Sequence, residues 1–464
     1  MKRWLAASAL LLGACASVGP DYRRPAVELP AQFPNAATDE APSVGFDWWT
    51  LYGDKTLDEL VASAQRGNAD MRLAAARVQE AEGALREARA AFWPDVTLGY
   101  TASRARVSGS GIPAPPPGTI IRPSQQILAS TSFELDFWGR FGRASEAAQA
   151  SLLASRLGRD VVGLTLAGST AQAYFALRSL DAQIAVLDSS IKARRDSLAI
   201  AQARLQAGLS SELDVHQAQG ALADALVQRR DAERNRALIE RQLGQLAGRL
   251  DLKLAAADLF ALPMPPVPPA GLPSSLLERR PDIRQAEETL IAANAQIGVA
   301  RAALFPTLSL TATAGAQSAD LSNLLTSNAA VWSLAAGVAA PIFDAGRREA
   351  RVGQAQARRE QALANYQKSI ETGFREVSDA IVNVQQTSAA EADLATRLQA
   401  ARNALELSTI RYESGYSPYL EVLDAQRTAN DAELAFVRNR QARLAFSVDL
   451  MKSLGGGWNS GTEP

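Results

Sequence analysis

The sequence of 464 residues has one cysteine, one histidine, few aromatic residues and no excess of charge of either sign. A single cysteine cannot form an internal disulfide, and His216 alone cannot build a metal site with several histidines. The 48 basic residues balance the 49 acidic ones, and no basic block of the kind that binds nucleic acid stands out. Nucleophile-elbow, P-loop and HExxH patterns are also lacking. We therefore expect no enzyme, no cofactor and no nucleic-acid partner, and interpret His216 as a helix-surface residue.

The first residues are typical of a secretory signal. Two basic residues precede a short apolar run, which ends in Gly13, Ala14 and Cys15. The run is too short to remain in a bilayer as a spanning helix. Its end, LGAC, resembles the lipobox of bacterial lipoproteins, in which the cysteine becomes the acylated first residue of the mature chain. We expect lipidation of Cys15 and, because Ala16 rather than Asp follows, an outer-membrane address. An ordinary signal peptide with an incidental cysteine is the alternative.

The chain repeats itself. The segment RLQAGLSSELDVHQAQ at 204–219 matches RYESGYSPYLEVLDAQ at 411–426 without gaps, and AAFWP at 90–94 is matched by AALFP at 302–306. Each half has the order helix, two strands, long helix, turn, helix. In chain order, the sequence divides into a signal, a first half, a proline-rich linker, a second half and a tail: residues 1–14, 15–262, 263–273, 274–454 and 455–464.

Two stretches without proline predict very long helices, from about Gly142 to Gln206 and from about Arg347 to Glu413. At 1.5 Å per residue, each would be about 100 Å long. Helices of that length must be paired along their length by other helices. Gly208 and Gly415 follow them and are expected to end them in the left-handed conformation, before a returning helix begins.

Four segments alternate between apolar and polar residues, at 96–103, 127–137, 308–315 and 331–342. Alternation over about ten residues is typical of membrane β-strands, although half-buried strands of a soluble sheet show it too. Four strands cannot close around a lumen, and an open sheet edge in lipid leaves backbone groups unpaired at several kcal/mol each. Membrane strands would therefore require two, three or four copies of the chain to combine into one barrel.

Several motifs in order resemble the outer-membrane factors of the TolC/OprM/NodT type, over essentially the whole mature chain. They are the lipobox, VGPDYRRP at 18–25, LFPTLSL at 304–310, PIFDAGRR at 341–348, YLEVLDAQR at 419–427 and LGGGW at 454–458. The resemblance implies a mixed α and transmembrane β fold with an internal duplication. It consists of a trimeric, twelve-stranded outer-membrane β-barrel, with four strands per protomer, that continues into a long periplasmic α-helical barrel.

The resemblance also implies a function. Such proteins are exit ducts of tripartite multidrug efflux pumps, which conduct small molecules passively out of the periplasm. The implied partners are two further copies of the chain in a homotrimer, a periplasmic adaptor protein, an inner-membrane RND-type transporter and outer-membrane lipid. A duct of the same type for type I protein secretion or metal-ion efflux is one alternative. A periplasmic adaptor or a structural coiled-coil lipoprotein is another, but an adaptor should have one helical hairpin rather than two.

Roles at the ends of the long helices follow from the same resemblance, since in the family these ends close the duct at rest and meet the adaptor. The residues expected at the periplasmic gate are Leu420, Glu421, Asp424, Arg411 and Tyr412. The residues expected to contact the adaptor are Gly208, Leu209, Ser210, Gly415, Tyr416 and Ser417.

Within the expected gate, Asp424 lies four residues after Leu420 and three after Glu421, so these side chains can share a helix face. Three-fold symmetry would turn each of them into a ring, and carboxylate rings in a narrow opening attract cations and repel one another. Arg411 and Tyr412 match residues that latch neighbouring helices in the family. Without the resemblance, Arg411, Glu421 and Asp424 are interpreted as solvated charges on a helix end.

Overall fold

The computed structural model describes residues 17–27, 29–30, 32–33, 45, 47–108, 120–267, 274 and 276–456. The predicted signal, Cys15, residues 268–273 of the linker and most of the tail lie outside this part of the chain. The chain forms two compact units. The strand unit comprises the described residues within Met1–Ala26, Gln79–Ala154 and Ala286–Tyr366, and the hairpin unit comprises those within Val27–Val78, Ser155–Gln285 and Gln367–Pro464.

Helices dominate the described residues, and they have the following bounds: α1 Lys55–Gly67, α2 Ala69–Ala90, α3 Arg140–Gln206, α4 Glu212–Leu246, α5 Leu276–Arg279, α6 Pro281–Ala302, α7 Arg347–Glu413 and α8 Tyr419–Ser453. The two predicted long helices are α3 and α7, of 67 residues each, and the returning helices α4 and α8 have 35 residues each. Helix α7 has the predicted bounds, whereas α3 begins two residues early. Within the described residues, no helix combines the length and apolar character needed to cross a membrane.

Four strands form one antiparallel sheet in the order β1 (Asp95–Arg106), β2 (Ile121–Leu135), β3 (Thr307–Ser318) and β4 (Ala330–Ala339). The prediction of four alternating strands is confirmed, but five bounds differ from the predicted ones by two residues or more. Strands β1 and β3 each end three residues later than predicted, at Arg106 and Ser318, and β2 ends two residues earlier, at Leu135. The other two are the start of β2 and the end of β4. Strand β2 begins at Ile121 rather than at residue 127, because its first residues pair with the end of β1. Strand β4 stops at Ala339 rather than at residue 342; Pro341 beyond it has no amide hydrogen to donate to a ladder.

The register gives the sheet one apolar and one polar face. Directly paired residues share a face, so Leu98, Ala129, Ala314 and Trp332 form one row across all four strands. The neighbouring row, on the opposite face, consists of Thr97, Ser130, Thr313 and Ser333. Leu98 and Trp332 are 74% and 80% exposed in the protomer, so nothing within the described chain covers the apolar face.

The segment after the predicted lipidation site is fixed to the strand unit. The carboxylate of Glu287 on α6 accepts hydrogen bonds from both Nε and Nη2 of Arg24, at 2.6 and 2.7 Å, and one from the Tyr22 hydroxyl at 3.0 Å. The Asn294 amide donates to the carbonyl of Pro20 at 2.8 Å. The motif VGPDYRRP therefore binds α6 through a buried carboxylate far away in sequence.

The hairpin unit has an aromatic core. Trp48, Tyr52, Tyr174 and Phe175 are almost completely buried and pack with residues of α1, α4 and α8. The Tyr174 hydroxyl donates to Asp54 at 2.5 Å, and the other carboxylate oxygen of Asp54 caps the first amides of α1. Burial is the main cause that raises the pKa of Tyr174 to about 12, so this hydroxyl stays protonated and remains a donor.

We predict that Leu57→Ala lowers the stability of the hairpin unit by about 2 to 5 kcal/mol, because Leu57 is fully buried in this core and its removal leaves a cavity. The measurement is the thermal unfolding midpoint, followed by circular dichroism of the purified protein. Leu51→Ala is the matched control, since Leu51 is 43% exposed. Equal midpoints for the two variants would contradict the assignment of the core.

Candidate gate at the helix tips

Two turns of five residues connect the long helices to the returning helices. The first tip, residues 207–211, joins α3 to α4, and the second tip, residues 414–418, joins α7 to α8. Gly208 and Gly415 have φ angles of 73° and 80°, in the left-handed region that glycine occupies most readily. The same pair of turn hydrogen bonds closes both helices, from the glycine and from the residue after it back to carbonyls of the last turn.

An aromatic cluster holds the second tip. The rings of Tyr412 and Tyr419 lie 5.4 Å apart, both side chains are buried, and they pack with Ala218 of α4 and Val422 of α8. Burial is the main cause that raises the pKa of both tyrosines. Because they stay protonated at neutral pH, the cluster adds no negative charge to the tip.

Helices α3 and α4 form the first hairpin, and α7 and α8 form the second. Arg204, near the end of α3, reaches this cluster from the first hairpin. Its guanidinium lies 4.9 Å from the centroid of the Tyr412 ring. Its Nη1 atom donates to the carbonyl oxygens of Tyr412 at 2.9 Å and Glu413 at 3.4 Å. These two carbonyls belong to the last turn of α7, where the helix dipole favours a cation.

The expected gate residues on α8 lie on its exposed side. Leu420 is 59% exposed, and Glu421 and Asp424 are exposed, whereas Tyr419 directly before them and Val422 among them are buried. Arg411 at the end of α7 donates from Nε to the Glu421 carboxylate at 3.0 Å. Both partners are about half exposed, so this ion pair contributes at most about 1 kcal/mol. The α8 side chains therefore form an apolar and acidic surface that packing within the protomer does not use.

Some of the residues expected to contact the adaptor are exposed at the tips, and others are half-buried beneath them. Leu209 and Tyr416, which follow the two glycines, are 68% and 80% exposed. Ser210 and Ser417 are half-buried, and the Ser210 hydroxyl lies 3.4 Å from the carbonyl of Ala201. Each tip thus presents one large apolar side chain.

Sequence reasoning missed Arg204 and Tyr419. The signal for Arg204 was available, because the repeat places it at the position of Arg411. It also missed two polar contacts deeper in the hairpin unit. The Gln426 amide on α8 donates to the Ser197 hydroxyl on α3 at 2.8 Å, which joins the two hairpins, and the buried Arg194 guanidinium on α3 donates to the carbonyl of Ala221 on α4. Among the residues that the structure describes, no group of three or more His, Cys, Asp or Glu side chains is arranged to hold a metal ion.

Comparison with known proteins identifies similar chains. The model of the family described as outer membrane efflux protein matches residues 60–249 and 272–456. The solvent efflux pump outer membrane protein SrpC of Pseudomonas putida is 35% identical over 97% of each chain, and the cation efflux system protein CusC of Escherichia coli is 33% identical over 97% of each chain. The crystal structure of the open state of the Neisseria gonorrhoeae MtrE outer membrane channel has a TM-score of 0.86 and 28% identity, over 95% of this chain and 98% of that one.

We predict that Gly208→Ala loosens the first tip, because a left-handed φ costs an alanine about 1 kcal/mol. Hydrogen–deuterium exchange of the tip amides should then be about five-fold faster. Gly220→Ala is the matched control: neither glycine has another atom near an added Cβ, and only Gly208 has a positive φ. Gly220 lies inside α4, so alanine there should slow exchange instead. Changes of the same sign in both variants would contradict the argument.

Proposed function

Because the chain belongs to the outer membrane efflux protein family and is the outer-membrane channel of an efflux pump, we propose that it is a homotrimeric duct that conducts small molecules passively out of the periplasm, with a gate at its helix tips. The observation that carries the proposal is the four-stranded sheet with its two dissimilar faces. The row that contains Leu98 and Trp332 suits lipid, and the row that contains Thr97 and Ser333 suits a water-filled lumen.

The trimer is supported by the edges of the sheet. Strands β1 and β4 each pair on one side within the described sheet, and lipid offers no partner to their remaining amides and carbonyls. Joining β4 of one copy to β1 of the next pairs both edges. Three copies would give a twelve-stranded barrel, the number that the family resemblance implies.

We predict that the protein from the outer-membrane fraction migrates as an SDS-resistant trimer when unheated and as a monomer after boiling. The physical reason is that a closed barrel has no unpaired edge at which detergent or heat can begin to separate the strands. The measurement is gel electrophoresis of paired heated and unheated samples. Monomer in both samples of a folded, membrane-inserted protein would contradict the shared barrel.

We place the chain in a tripartite assembly with a periplasmic adaptor and an inner-membrane transporter of the RND type. The relative SrpC is named as the outer membrane protein of a solvent efflux pump, which supports a pump with further components. The exposed Leu209 and Tyr416 supply the tips with apolar contacts for the adaptor, beside Gly208, Ser210, Gly415 and Ser417. Acylation of Cys15 would add a lipid anchor to the barrel, as the LGAC motif predicts.

Small organic molecules are the proposed cargo. CusC, a relative at 33% identity, is named as a cation efflux protein, which makes metal ions the alternative cargo. The chain has one histidine and four methionines, so it offers few of the soft ligands that transition metals prefer. We therefore assign the choice of cargo to the inner-membrane transporter.

The gate is proposed at the exposed side of α8. Three-fold symmetry would bring copies of Leu420, Glu421 and Asp424 around one axis, where carboxylates attract cations and repel each other. The Arg411–Glu421 pair neutralises part of this charge and holds the second tip to its own helix α8. The neighbour MtrE was solved in a form described as open, which supports a duct with more than one state.

We predict that the double variant Glu421→Ala/Asp424→Ala conducts ions several-fold better than wild type and loses most of its cation selectivity. The reason is that it removes the acidic rings and the partner of Arg411. The measurement is single-channel conductance and reversal potential in a planar bilayer.

The matched control is Asp393→Ala/Glu406→Ala, which removes the same charge from exposed positions on α7 away from the tip. Its conductance and selectivity should equal those of wild type. If the wild-type pore is wide and unselective, and the Glu421→Ala/Asp424→Ala substitutions leave it unchanged, the proposed duct stands but the proposed gate is contradicted.

A further inference from the structure

The two hairpins of one protomer are joined at their ends by an asymmetric arginine contact. Arg204 and Arg411 occupy the same place in the two copies of the repeat. Arg411 contacts Glu421, which lies in its own hairpin. Arg204 instead crosses from the first hairpin to the last turn of α7 in the second hairpin. The two equivalent arginines therefore make different contacts: Arg204 bonds to the other hairpin, and Arg411 bonds within its own.

The contact combines two favourable interactions at one guanidinium. Its positive charge lies at the carbonyl end of α7, where the helix dipole is negative, and it donates to two carbonyls of that turn. Its Cζ atom also lies over the ring of Tyr412, 4.9 Å from the centroid, within the range of a cation–π contact. Arg204 is half-buried, so water screens it less than the half-exposed Arg411–Glu421 pair.

The position of this contact ties it to the gate residues. The Tyr412 carbonyl that accepts from Arg204 also accepts the turn hydrogen bond from Gly415 at 3.0 Å. The Tyr412 ring packs on Tyr419, the residue directly before Leu420 and Glu421. A continuous series of contacts therefore connects Arg204 to the turn and, through the two tyrosines, to the start of α8.

We propose that Arg204 is a positioning residue of the gate: it caps the C-terminus of α7 from the neighbouring hairpin and holds the second tip against the first. Opening that separates the tips must break this cap, so the resting state depends on it. This inference rests on the proposed gate, because it assigns the support of the same α8 surface.

The test is Arg204→Gln in the full-length, membrane-assembled protein, with two readouts. The first is hydrogen–deuterium exchange at the second tip, residues 414–418, which should become about ten-fold faster or more, since a hydrogen bond to a charged group is lost. Exchange at the first tip, residues 207–211, should change far less. The second readout is single-channel conductance, which should rise several-fold over that of wild type.

The matched control is Arg195→Gln, which removes the same charge from an exposed position on α3 and should change neither readout. Arg204→Lys, which keeps the cation but not the planar fork, should retain most of the protection at the second tip. If Arg204→Gln fails to assemble, Arg204→Met, which keeps most of the side-chain stem but removes the charge and the donors, serves as the test variant with the same expected results.

The outcomes separate this inference from the proposed gate. Unchanged exchange at the second tip, equal acceleration at both tips, or no rescue by lysine overturns the role of Arg204, whatever the conductance. Faster exchange at the second tip with unchanged conductance overturns its role in the gate and leaves a purely structural cap. If Glu421→Ala/Asp424→Ala leaves the conductance unchanged while Arg204→Gln raises it, the proposed role of the acidic rings is contradicted and the role of Arg204 stands.

Discussion

The structure depends on the requirement that every backbone amide and carbonyl in lipid has a hydrogen-bond partner. The sheet satisfies this requirement between β1 and β4 but not at its two edges. A protomer alone therefore cannot complete its own membrane part, and insertion must be coupled to association. That coupling also makes the duplication useful, since each copy of the repeat brings one pair of strands and one pair of helices to the same assembly.

Local signals predicted much of this fold. The stretch without proline predicted α7 with its observed bounds. Gly208 and Gly415 predicted the ends of both long helices, because few other residues occupy the left-handed region readily. Alternation predicted the faces of the strands, since successive side chains point to opposite sides. The start of β2 was missed because Pro123 and the residues around it interrupt the alternation, and the pairing with β1 that orders them cannot be seen locally.

Contacts between distant segments could not be predicted in the same way. The motif VGPDYRRP was recognised as a motif, but nothing near it indicates that Arg24 and Tyr22 would share the carboxylate of Glu287. At the tip, Arg204 and Arg411 occupy the same position of the repeat, but their contacts in the structure differ. Which neighbour a side chain meets depends on how the two hairpins lie side by side, which a repeat of similar sequence does not specify.

The equal lengths of the paired helices limit how this architecture can change. Helices α3 and α7 have 67 residues each, and α4 and α8 have 35 each, and Arg204 near the end of α3 meets Tyr412 near the end of α7. An insertion of one turn in a single hairpin would raise its tip by about 5.4 Å and pull Arg204 from Tyr412. The duct can therefore become longer or shorter without losing this contact only by matched insertions or deletions in all four helices. Among relatives of different length, all four helices should accordingly differ by the same number of turns.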